Sequence, residues 1–382
     1  MRIDEDWMHR NGVDRIMDML CAERGEAYFV GGCVRNALLG VPVSDIDIST
    51  NLLPDQVEKR AEAAGIKSIP TGKDHGTITL VVDDTAYEVT SYRKDVATDG
   101  RRAVVAFAKT LEEDALRRDF TINALYADRT GTVRDPVDGL ADIDARRIRF
   151  IGNAEDRIKE DYLRILRFFR FSTYYGDPED GFDAESLAAC AEHADGLETL
   201  SKERIGWEMR KILSAEDPMR AIATMGQTGI LRRILPGANP AAIGPFIAAE
   251  LWPDWLGRLY ALNAETPKVS LKLSRKESDV FEQMDRATAQ DLPIHEIAYR
   301  LGARVARNIG ALRASLTAAT GWSDADETSA HDAEAQVFPL KARDLNGLEG
   351  KALGDKLKEL EAKWIASEFQ MTRDELLRIF EA

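Results

Sequence analysis

The chain has 382 residues, of which 44% are hydrophobic and 31% charged, and a formal net charge of −15. These values are typical of a globular protein with two to four structural units, and they exclude a chain that is basic throughout, the usual footprint of nucleic-acid binding. The three cysteines lack CxxC spacing, and no apolar run has the length of a signal peptide or a transmembrane helix, so we expect a cytoplasmic protein without a disulfide framework, a structural zinc or a membrane partner.

The first distinctive segment is the string GGCVRNALLGVPVSDIDIST, which begins at Gly31. Residues 28–30 predict a short buried strand, and the glycines that follow allow a sharp turn with no Cβ between the backbone and a ligand. Residues 33–39 have helical spacing, which places Gly31 and Gly32 at a helix N-terminus. Free N–H groups at that position suit a phosphate, and Arg35 adds a charged fork.

Acidic and apolar side chains alternate at the end of this segment, from Asp45 through Ile46 and Asp47 to Ile48. In a strand, this pattern places both carboxylates on one face and both isoleucines toward the core. Two carboxylates beside a phosphate-binding turn are what a pair of Mg²⁺ ions requires. Asp45 and Asp47 are therefore our candidate metal ligands.

The next elements complete the first half of a small catalytic unit. Residues 54–64 predict a helix. The β-rich runs 77–82 and 87–92 flank a turn and predict a hairpin, with Glu88 on its second strand.

The second half of this unit starts with a polar, turn-rich segment that leads to a predicted strand at residues 103–107. Helical spacing extends over residues 112–127, and residues 148–151 predict a last strand before the unit ends near Gly152. The mixture of strands and helices indicates an α+β unit with about five strands.

A second group of polar residues lies on the string EDYLRILRFFRF, residues 160–171, which predicts a helix with one apolar face. Cytosine and adenine present an amino donor beside a ring-nitrogen acceptor, whereas guanine and uracil present a carbonyl beside an N–H donor. An accepting Asp161 adjacent to a donating Arg164 would therefore suit C and A and reject G and U. The alternative is an amphipathic helix with surface arginines and one ion pair.

The string from Gly31 to Thr50 resembles the nucleotidyltransferase superfamily of DNA polymerase β and, in detail, the class II CCA-adding enzymes and bacterial poly(A) polymerases. The string RRDFTINAL, from Arg117, matches that family almost letter for letter. The resemblance is strong over residues 25–215 and weaker beyond them. One departure is Asn36, where the family usually has Asp; an Asn accepts a hydrogen bond but carries no charge.

The resemblance implies an α+β fold, in which a small polymerase-β-like head with a mixed sheet of about five strands precedes a long all-α region. We expect the catalytic head at 1–152 and a helical neck with nucleotide-base recognition at 153–215. A helical body at 216–325 and a helical, tRNA-binding tail at 326–382 complete this division.

The resemblance also implies roles for individual residues. Glu88 becomes the candidate third catalytic carboxylate beside Asp45 and Asp47. Arg118 becomes a triphosphate ligand, with Asp119 ordering the arginines. The full set of candidate nucleotide-binding residues is Gly31, Gly32, Arg35, Arg118, Asp119, Asp161, Arg164, Arg167 and Arg170.

The candidate nucleotide-binding residues of the neck form a protein template in the resembling family. Asp161 and Arg164 would take the place of a nucleic-acid template, and Arg167 and Arg170 would reach phosphate or support the pair. The loop at residues 95–102 corresponds to one that, in CCA-adding enzymes, is associated with switching from C to A addition.

We therefore expect a Mg²⁺-dependent nucleotidyltransferase that adds CCA to the 3′ end of tRNA from CTP and ATP. Its partners would be the 3′ end and acceptor region of tRNA and the two nucleotides. The alternatives are a bacterial poly(A) polymerase, which the acidic net charge disfavours, a CC-only or A-only enzyme, and a non-catalytic RNA-binding relative. The retained pair Asp45 and Asp47 speaks against the last of these, and the sequence does not indicate an oligomeric state.

Overall fold

The computed structural model describes residues 1–98, 103–317 and 319–381. They form two compact units, Met1–Glu208 and Met209–Ala382. All the candidate site residues lie in the first unit. The finer division into head, neck, body and tail stays a prediction.

The first unit is built on a seven-stranded sheet with the strand order β3-β4-β5-β2-β1-β8-β9. The strands of the unit are β1 Ala27–Val30, β2 Asp47–Thr50, β3 Lys67–Gly72, β4 Thr77–Val82, β5 Thr85–Ser91, β6 Arg93–Thr98, β7 Ala103–Phe107, β8 Tyr126–Ala127 and β9 Val133–Arg134. β6 and β7 pair only with each other. Because β2 runs parallel to β5 and the other neighbours are antiparallel, the sheet is mixed, as expected.

The prediction of about five strands was too low. The additional strands of the unit are an outer one, β3, whose residues are mostly exposed, β6, in the segment expected to be polar and turn-rich, and the two-residue pair β8 and β9. None of these carries the long alternating apolar run that marks a strand in a sequence. The hairpin strands β4 and β5 and the strand β7 are confirmed.

Nine helices begin in the described part of the first unit: α1 Asn11–Cys21, α2 Gly32–Leu39, α3 Pro54–Ala63, α4 Leu111–Leu116, α5 Gly139–Asp144, α6 Ala154–Glu160, α7 Leu163–Tyr175, α8 Ala184–Glu192 and α9 Lys202–Ser214. The local sequence explains α2 well. Gly31 stands before it with φ of 70°, a value that favours glycine, and Gly40 ends it in the left-handed conformation.

The predicted helix over residues 112–127 was wrong beyond its first turns. α4 ends at Leu116, and a 3₁₀ turn at Thr121–Asn123 and strand β8 follow. The Asp119 carboxylate accepts hydrogen bonds from the Phe120 backbone N–H and the Asn123 amide. A side chain that binds nearby N–H groups in this way competes with helical hydrogen bonds, so the helix does not resume after Asp119.

The predicted strand at 148–151 forms only an isolated bridge, in which Phe150 pairs with Phe120. The rings of the two residues lie 4.9 Å apart, and the Phe150 ring stacks on Phe168 of α7 at 5.9 Å. This aromatic cluster holds α7 against the segment that follows α4.

The predicted helix over residues 160–171 is two helices rather than one. α6 ends at Glu160, and Asp161 is extended, with φ of −156° and ψ of 103°. Its carboxylate accepts from the backbone N–H of Leu163, where α7 begins. The carboxylate thus stands where the helical turn would have continued.

The second unit consists of helices in its described part. They are α10 Met219–Gln227, α11 Ile230–Ile234, α12 Ile243–Ala249, α13 Trp255–Ala261, α14 Pro267–Ser270, α15 Arg275–Ala289, α16 Ile294–Leu301, α17 Ala303–Thr317, α18 Asp324–Glu334, α19 Gly350–Ala366 and α20 Arg373–Glu381. Throughout the described residues, the helices lack the combination of length and apolar character that crossing a bilayer requires.

Candidate active site

Three carboxylates gather where β2 meets β5. Asp47 is the first residue of β2 and lies directly opposite Glu88 of β5 in the parallel register. Asp45 precedes the strand and is exposed, whereas Ile46 and Ile48 are buried. The predicted alternation of acidic and apolar side chains is therefore confirmed, although Asp45 itself lies outside the strand.

The negative charge of this group is only partly balanced by nearby arginines. Burial, and then the charges of Glu88 and Asp45, raise the pKa of Asp47 to about 6, against the opposing effect of Arg118 and Arg35. Like charges that share a site raise each other's pKa because two anions repel. A bound divalent cation relieves this repulsion, and carboxylate oxygens are the ligands that hard cations prefer. The acidic group therefore fits a divalent metal.

A different group already has potential ligand atoms close together. In the described part of the chain, Glu155, Glu192 and His193 place one ligand atom each within 4.8 Å of one another, and the carboxylates at β2 and β5 do not form such a group. The group of Glu155, Glu192 and His193 lies on α6, at the end of α8 and directly after it. Its negative charge is partly neutralised, since Lys159 pairs with Glu155 at 3.0 Å.

Gly31 and Gly32, which we call the glycine corner, lie beside the acidic group of Asp45, Asp47 and Glu88, because β1, which ends just before them, pairs with β2. A Cβ added to Gly31 would stand 3.5 Å from Nη1 of Arg118. Among the residues that the structure describes, no side chain caps the N-terminus of α2. The corner therefore brings a guanidinium and uncapped backbone N–H groups to one place, as a bound phosphate requires.

Arg35 lies at the same corner, but its guanidinium is buried and already bonded. It donates to the side-chain oxygen Oδ1 of Asn123 at 2.5 Å, to the Asn36 side chain at 2.8 Å and to the Tyr175 hydroxyl at 2.8 Å. The Tyr175 ring also lies 4.0 Å from the guanidinium carbon. Arg35 thus joins α2 to α7, and its predicted contact with phosphate stays a prediction.

Asn36 has a clear structural place despite the departure from the family pattern. Its side-chain oxygen accepts from Arg35, and its amide donates to the carbonyl of Pro42. Asn36 therefore orients Arg35 without adding a negative charge.

Arg118 is held by a residue that the sequence did not single out, Asp114 of α4. The Asp114 carboxylate accepts from Arg118 Nη2 at 3.1 Å and from Arg117 Nε at 2.8 Å. Burial alone would raise the pKa of Asp114, but the charges of Arg118 and Arg117 and the Tyr126 hydroxyl outweigh it and lower the pKa to about 2. The expectation that Asp119 orders this pair of arginines was wrong.

Asp119 instead holds an arginine of α7. Its carboxylate pairs with Arg167, whose Nε donates at 2.7 Å. Burial opposes ionisation of Asp119, but Arg167 and the hydrogen bonds from Asn123 and Phe120 lower its pKa to about 2. Arg170 pairs in the same way with the buried Glu208 of α9, at 2.6 Å.

Asp161 and Arg164 do not share one helix face as predicted, because Asp161 precedes α7. In the described residues the backbone N–H of Arg164 donates to the Asp161 carbonyl at 3.0 Å, but the two side chains bond to other partners. The Asp161 carboxylate accepts from Arg204 at 2.7 Å, and Arg164 donates to Glu160 at 2.5 Å. Arg164 also donates to the Arg117 carbonyl at 3.2 Å. The base-reading candidates therefore lie between the arginines that follow α4 and the arginines of α7.

Several of these partners were missed by sequence reasoning for different reasons. Asp114 stands three and four residues before Arg117 and Arg118, and Glu160 stands four residues before Arg164, spacings that could have indicated all three pairs. Glu208 and Arg204 lie about forty positions from their partners, so no local signal could have found them.

The loop expected to influence the switch from C to A lies partly outside the described residues. Asp99, Gly100, Arg101 and Arg102 belong to the part that is not described. On either side of them, the backbones of β6 and β7 form an antiparallel ladder, from the pair Arg93 and Phe107 to the pair Thr98 and Ala103.

Two family models match the chain. One, described as "Poly A polymerase head domain", covers residues 27–149, and the other, described as "Probable RNA and SrmB- binding site of polymerase A", covers residues 181–241. The head model spans the sheet, the glycine corner and the acidic group. Fold and site together thus define a nucleotidyltransferase with a polymerase-type head.

Comparison with individual proteins narrows this class. "CCA tRNA nucleotidyltransferase 1, mitochondrial" of Homo sapiens is 32% identical over 96% of this chain and 89% of its own length. The "CCA-adding enzyme" of Geobacillus thermodenitrificans is 33% identical over 89% of this chain and 86% of its own length. The solved structure of the Bacillus stearothermophilus CCA-adding enzyme in complex with CTP has a TM-score of 0.78 over 97% of both chains, at 28% identity.

The chain belongs to the family of CCA-adding tRNA nucleotidyltransferases. This confirms the resemblance, the α+β fold class and the enzyme class that the sequence predicts.

Proposed function

We propose that this protein adds CMP, CMP and AMP to the 3′ end of tRNA from CTP and ATP, without a nucleic-acid template, and releases pyrophosphate. The observation that carries the proposal is the juxtaposition of an acidic group and an arginine at one glycine corner. The pKa of Asp47, raised to about 6, indicates uncompensated negative charge in the acidic group. Nη1 of Arg118 lies close to Gly31, where it could meet a phosphate. The names of the relatives, which are CCA-adding enzymes, support the choice of reaction.

The metal in this proposal is Mg²⁺, held by Asp45 and Asp47, with Glu88 as the third catalytic carboxylate. Only oxygen ligands are present in this group, and their mutual repulsion favours a small, hard dication. When bound, Mg²⁺ would lower the pKa of the 3′-hydroxyl of tRNA and neutralise charge on the pyrophosphate.

The protein residues hold the nucleotide in this proposal. Gly31 and Gly32 let the triphosphate approach the N-terminus of α2, and Arg118 adds a guanidinium beside it. The Asp161 carboxylate accepts a hydrogen bond from the amino group of C or A, and Arg164 donates one to the adjacent ring nitrogen. Arg167 and Arg170 are already paired with Asp119 and Glu208, which favours the supporting role over direct contact with phosphate.

The proposal is tested by incubating the protein and Mg²⁺ with tRNA that lacks CCA, with each labelled nucleotide in turn and with CTP and ATP together. We expect two C residues from CTP alone and one further A when both nucleotides are present. Long A tails from ATP alone would indicate a poly(A) polymerase, which the name of the head model allows. Addition of only CC or only A would indicate a split enzyme, and no incorporation would favour an RNA-binding relative.

A matched variant separates chemistry from binding. Asp45→Ala should abolish incorporation and leave tRNA binding largely intact, since Asp45 is exposed and precedes β2. Turnover near the wild-type rate in this variant would remove Asp45 from the site. The relatives include mitochondrial proteins, so the cytoplasmic location stays a prediction.

A further inference from the structure

Asp114, near the acidic group, is fully buried, and its carboxylate accepts many hydrogen bonds. Its Oδ1 accepts from the Arg93 backbone N–H at 3.3 Å and from Arg117 Nε at 2.8 Å. Its Oδ2 accepts from the Tyr126 hydroxyl at 2.8 Å, from Arg118 Nη2 at 3.1 Å and from the Ser49 hydroxyl at 3.3 Å. One carboxylate thus accepts from four side chains and one backbone N–H, which lie on β2, at the start of β6, just after α4 and on β8.

These partners lie on elements whose relative positions the proposed site depends on. Ser49 lies on β2, two residues after Asp47, and Arg93 is the first residue of β6. Tyr126 lies on β8 and donates to Asp114 while it accepts from Arg118 Nε at 3.1 Å. The acidic strand, the start of the β6–β7 hairpin and Arg118 therefore share one buried anchor.

The bonds to Asp114 determine which edge of Arg118 is available. Nε and Nη2 donate to Asp114 and Tyr126, whereas Nη1 makes a longer contact of 3.5 Å with the Asn123 carbonyl. Nη1 is also the atom beside the glycine corner. A guanidinium held along one edge presents its other edge in a constant direction, which lowers the conformational cost of binding an anion.

We propose that Asp114 is a positioning residue for nucleotide binding, which holds Arg118 at the glycine corner and ties it to the acidic strand. This inference rests on the proposed function, because Arg118 is taken there as the triphosphate ligand. Asp114 itself touches no nucleotide; it acts through Arg118.

Asp114→Asn tests the proposal with the full-length protein. The Asn side chain keeps one acceptor oxygen, but its amide group presents donors to arginines that are themselves donors. We expect the dissociation constant for CTP with Mg²⁺, measured by calorimetry without tRNA, to rise about tenfold. KM for CTP should rise by a similar factor, with a smaller change in kcat.

Asp142→Asn is the matched control. Asp142 is also fully buried in the first unit and also holds two arginines, Arg147 and Arg149, but it lies on α5 and bonds to Thr121 rather than to β2 or β6. We expect it to lose thermal stability as Asp114→Asn does and to bind CTP with the wild-type constant.

A double-mutant cycle excludes a merely structural role. In an Arg118→Ala background, Asp114→Asn should change the CTP dissociation constant less than twofold, because the residue through which it acts is gone. Full additivity of the two changes, or equal effects of Asp114→Asn and Asp142→Asn on CTP binding, would overturn the proposal. If Asp114→Asn does not fold, Tyr126→Phe replaces it in the same cycle, with an expected loss of about threefold.

The outcomes separate this inference from the proposed function. A wild-type protein that binds CTP but adds nothing to tRNA contradicts the proposed function and leaves the binding cycle decisive for Asp114. A wild-type protein that adds CCA, with an Asp114→Asn variant that binds CTP normally, contradicts only the inference. A wild-type protein that binds no CTP contradicts both.

Discussion

The first unit contains two charged regions that differ in how their charge is balanced. In the acidic group, Asp45, Asp47 and Glu88 lie near one another, and the pKa of Asp47 rises to about 6. On α7 and at its start, by contrast, Arg164, Arg167 and Arg170 each pair with a carboxylate of the protein. The pKa of one of these carboxylates, Asp119, falls to about 2.

The comparison shows that charge alone does not mark a ligand site. The arginines of α7 are conspicuous in the sequence, but their charge is compensated within the protein and helps to hold its shape. The acidic group is less conspicuous, but burial and then the charges of Glu88 and Asp45 raise the pKa of Asp47. Negative charge that the protein balances only in part is what fits the divalent cation of the proposed function.

The sharpest way to break this comparison is Asp47→Asn. Loss of a metal ligand removes several kcal/mol of transition-state stabilisation, so incorporation should fall by at least about 10³-fold. Stability should move the other way. The folded-state pKa of about 6 lies above the ordinary 3.8, so the charged carboxylate lowers stability as pH rises through that window.

A neutral Asn removes this destabilisation, so the metal-free variant should be more stable than the wild type by about 2 kcal/mol at pH 7, after allowance for partial exposure. Denaturant titration in EDTA measures the difference. Asp84→Asn, in the exposed turn between β4 and β5, serves as the control and should change neither quantity. A destabilised Asp47→Asn variant would mean that the acidic group is not strained.

Glu88→Gln should have the next largest effect. Removal of the second-largest contribution to the raised pKa of Asp47 should make unfolding less dependent on pH between about 4 and 6. If Glu88 is the third catalytic carboxylate, incorporation should also fall, by about 10²-fold. Glu62→Gln on α3 is the exposed control, and a fall in pH dependence without loss of incorporation would limit Glu88 to an electrostatic role.

The arginine region should respond through selectivity instead. Asp161→Ala should reduce discrimination between CTP and UTP by about tenfold, since the acceptor for the amino group is lost. Arg204→Ala should have a smaller effect of about threefold, because the Asp161 carboxylate keeps its bond to the Leu163 N–H. Competition assays with Glu203→Gln as the control on α9 measure both, and unchanged selectivity in Asp161→Ala would rule out a template role.

A further effect, smaller than that of Asp161→Ala, is a dependence of metal affinity on pH. A metal ion must displace the proton from Asp47, and with a pKa of about 6 only about a quarter of the protein is deprotonated at pH 5.5. The Mg²⁺ concentration for half-maximal incorporation should therefore be about fourfold higher at pH 5.5 than at pH 7.5. Excess Mg²⁺ should restore the rate at the lower pH, and a loss that Mg²⁺ does not reverse would point to a different titrating group.

The reliable sequence predictions concern short spacings. The alternation of acidic and apolar residues correctly predicted that Asp47 lies on the opposite face of the strand from Ile46 and Ile48. The glycines and the helical spacing after them correctly predicted the turn at the start of α2. These patterns work because backbone geometry alone determines which side chains share a face. The family resemblance rested on the same short strings.

The two wrong helix predictions share one cause. Helical spacing continued through Asp119 and Asp161, yet each carboxylate bonds to a nearby backbone N–H and interrupts the regular structure. A local hydrogen bond of this kind depends on what fixes the side chain, and for Asp119 that is Arg167, 48 positions further along the chain.

The sequence by itself therefore determined the class of enzyme and the glycine corner and indicated Asp45 and Asp47 as candidate metal ligands, because residues close together in the sequence carry that chemistry. Only the tertiary structure decided that Glu88 stands opposite Asp47, and that Asp114 holds Arg118 to β2. Strand order and buried ion pairs join residues that are far apart in the chain, and no local periodicity encodes which of many carboxylates will meet which arginine.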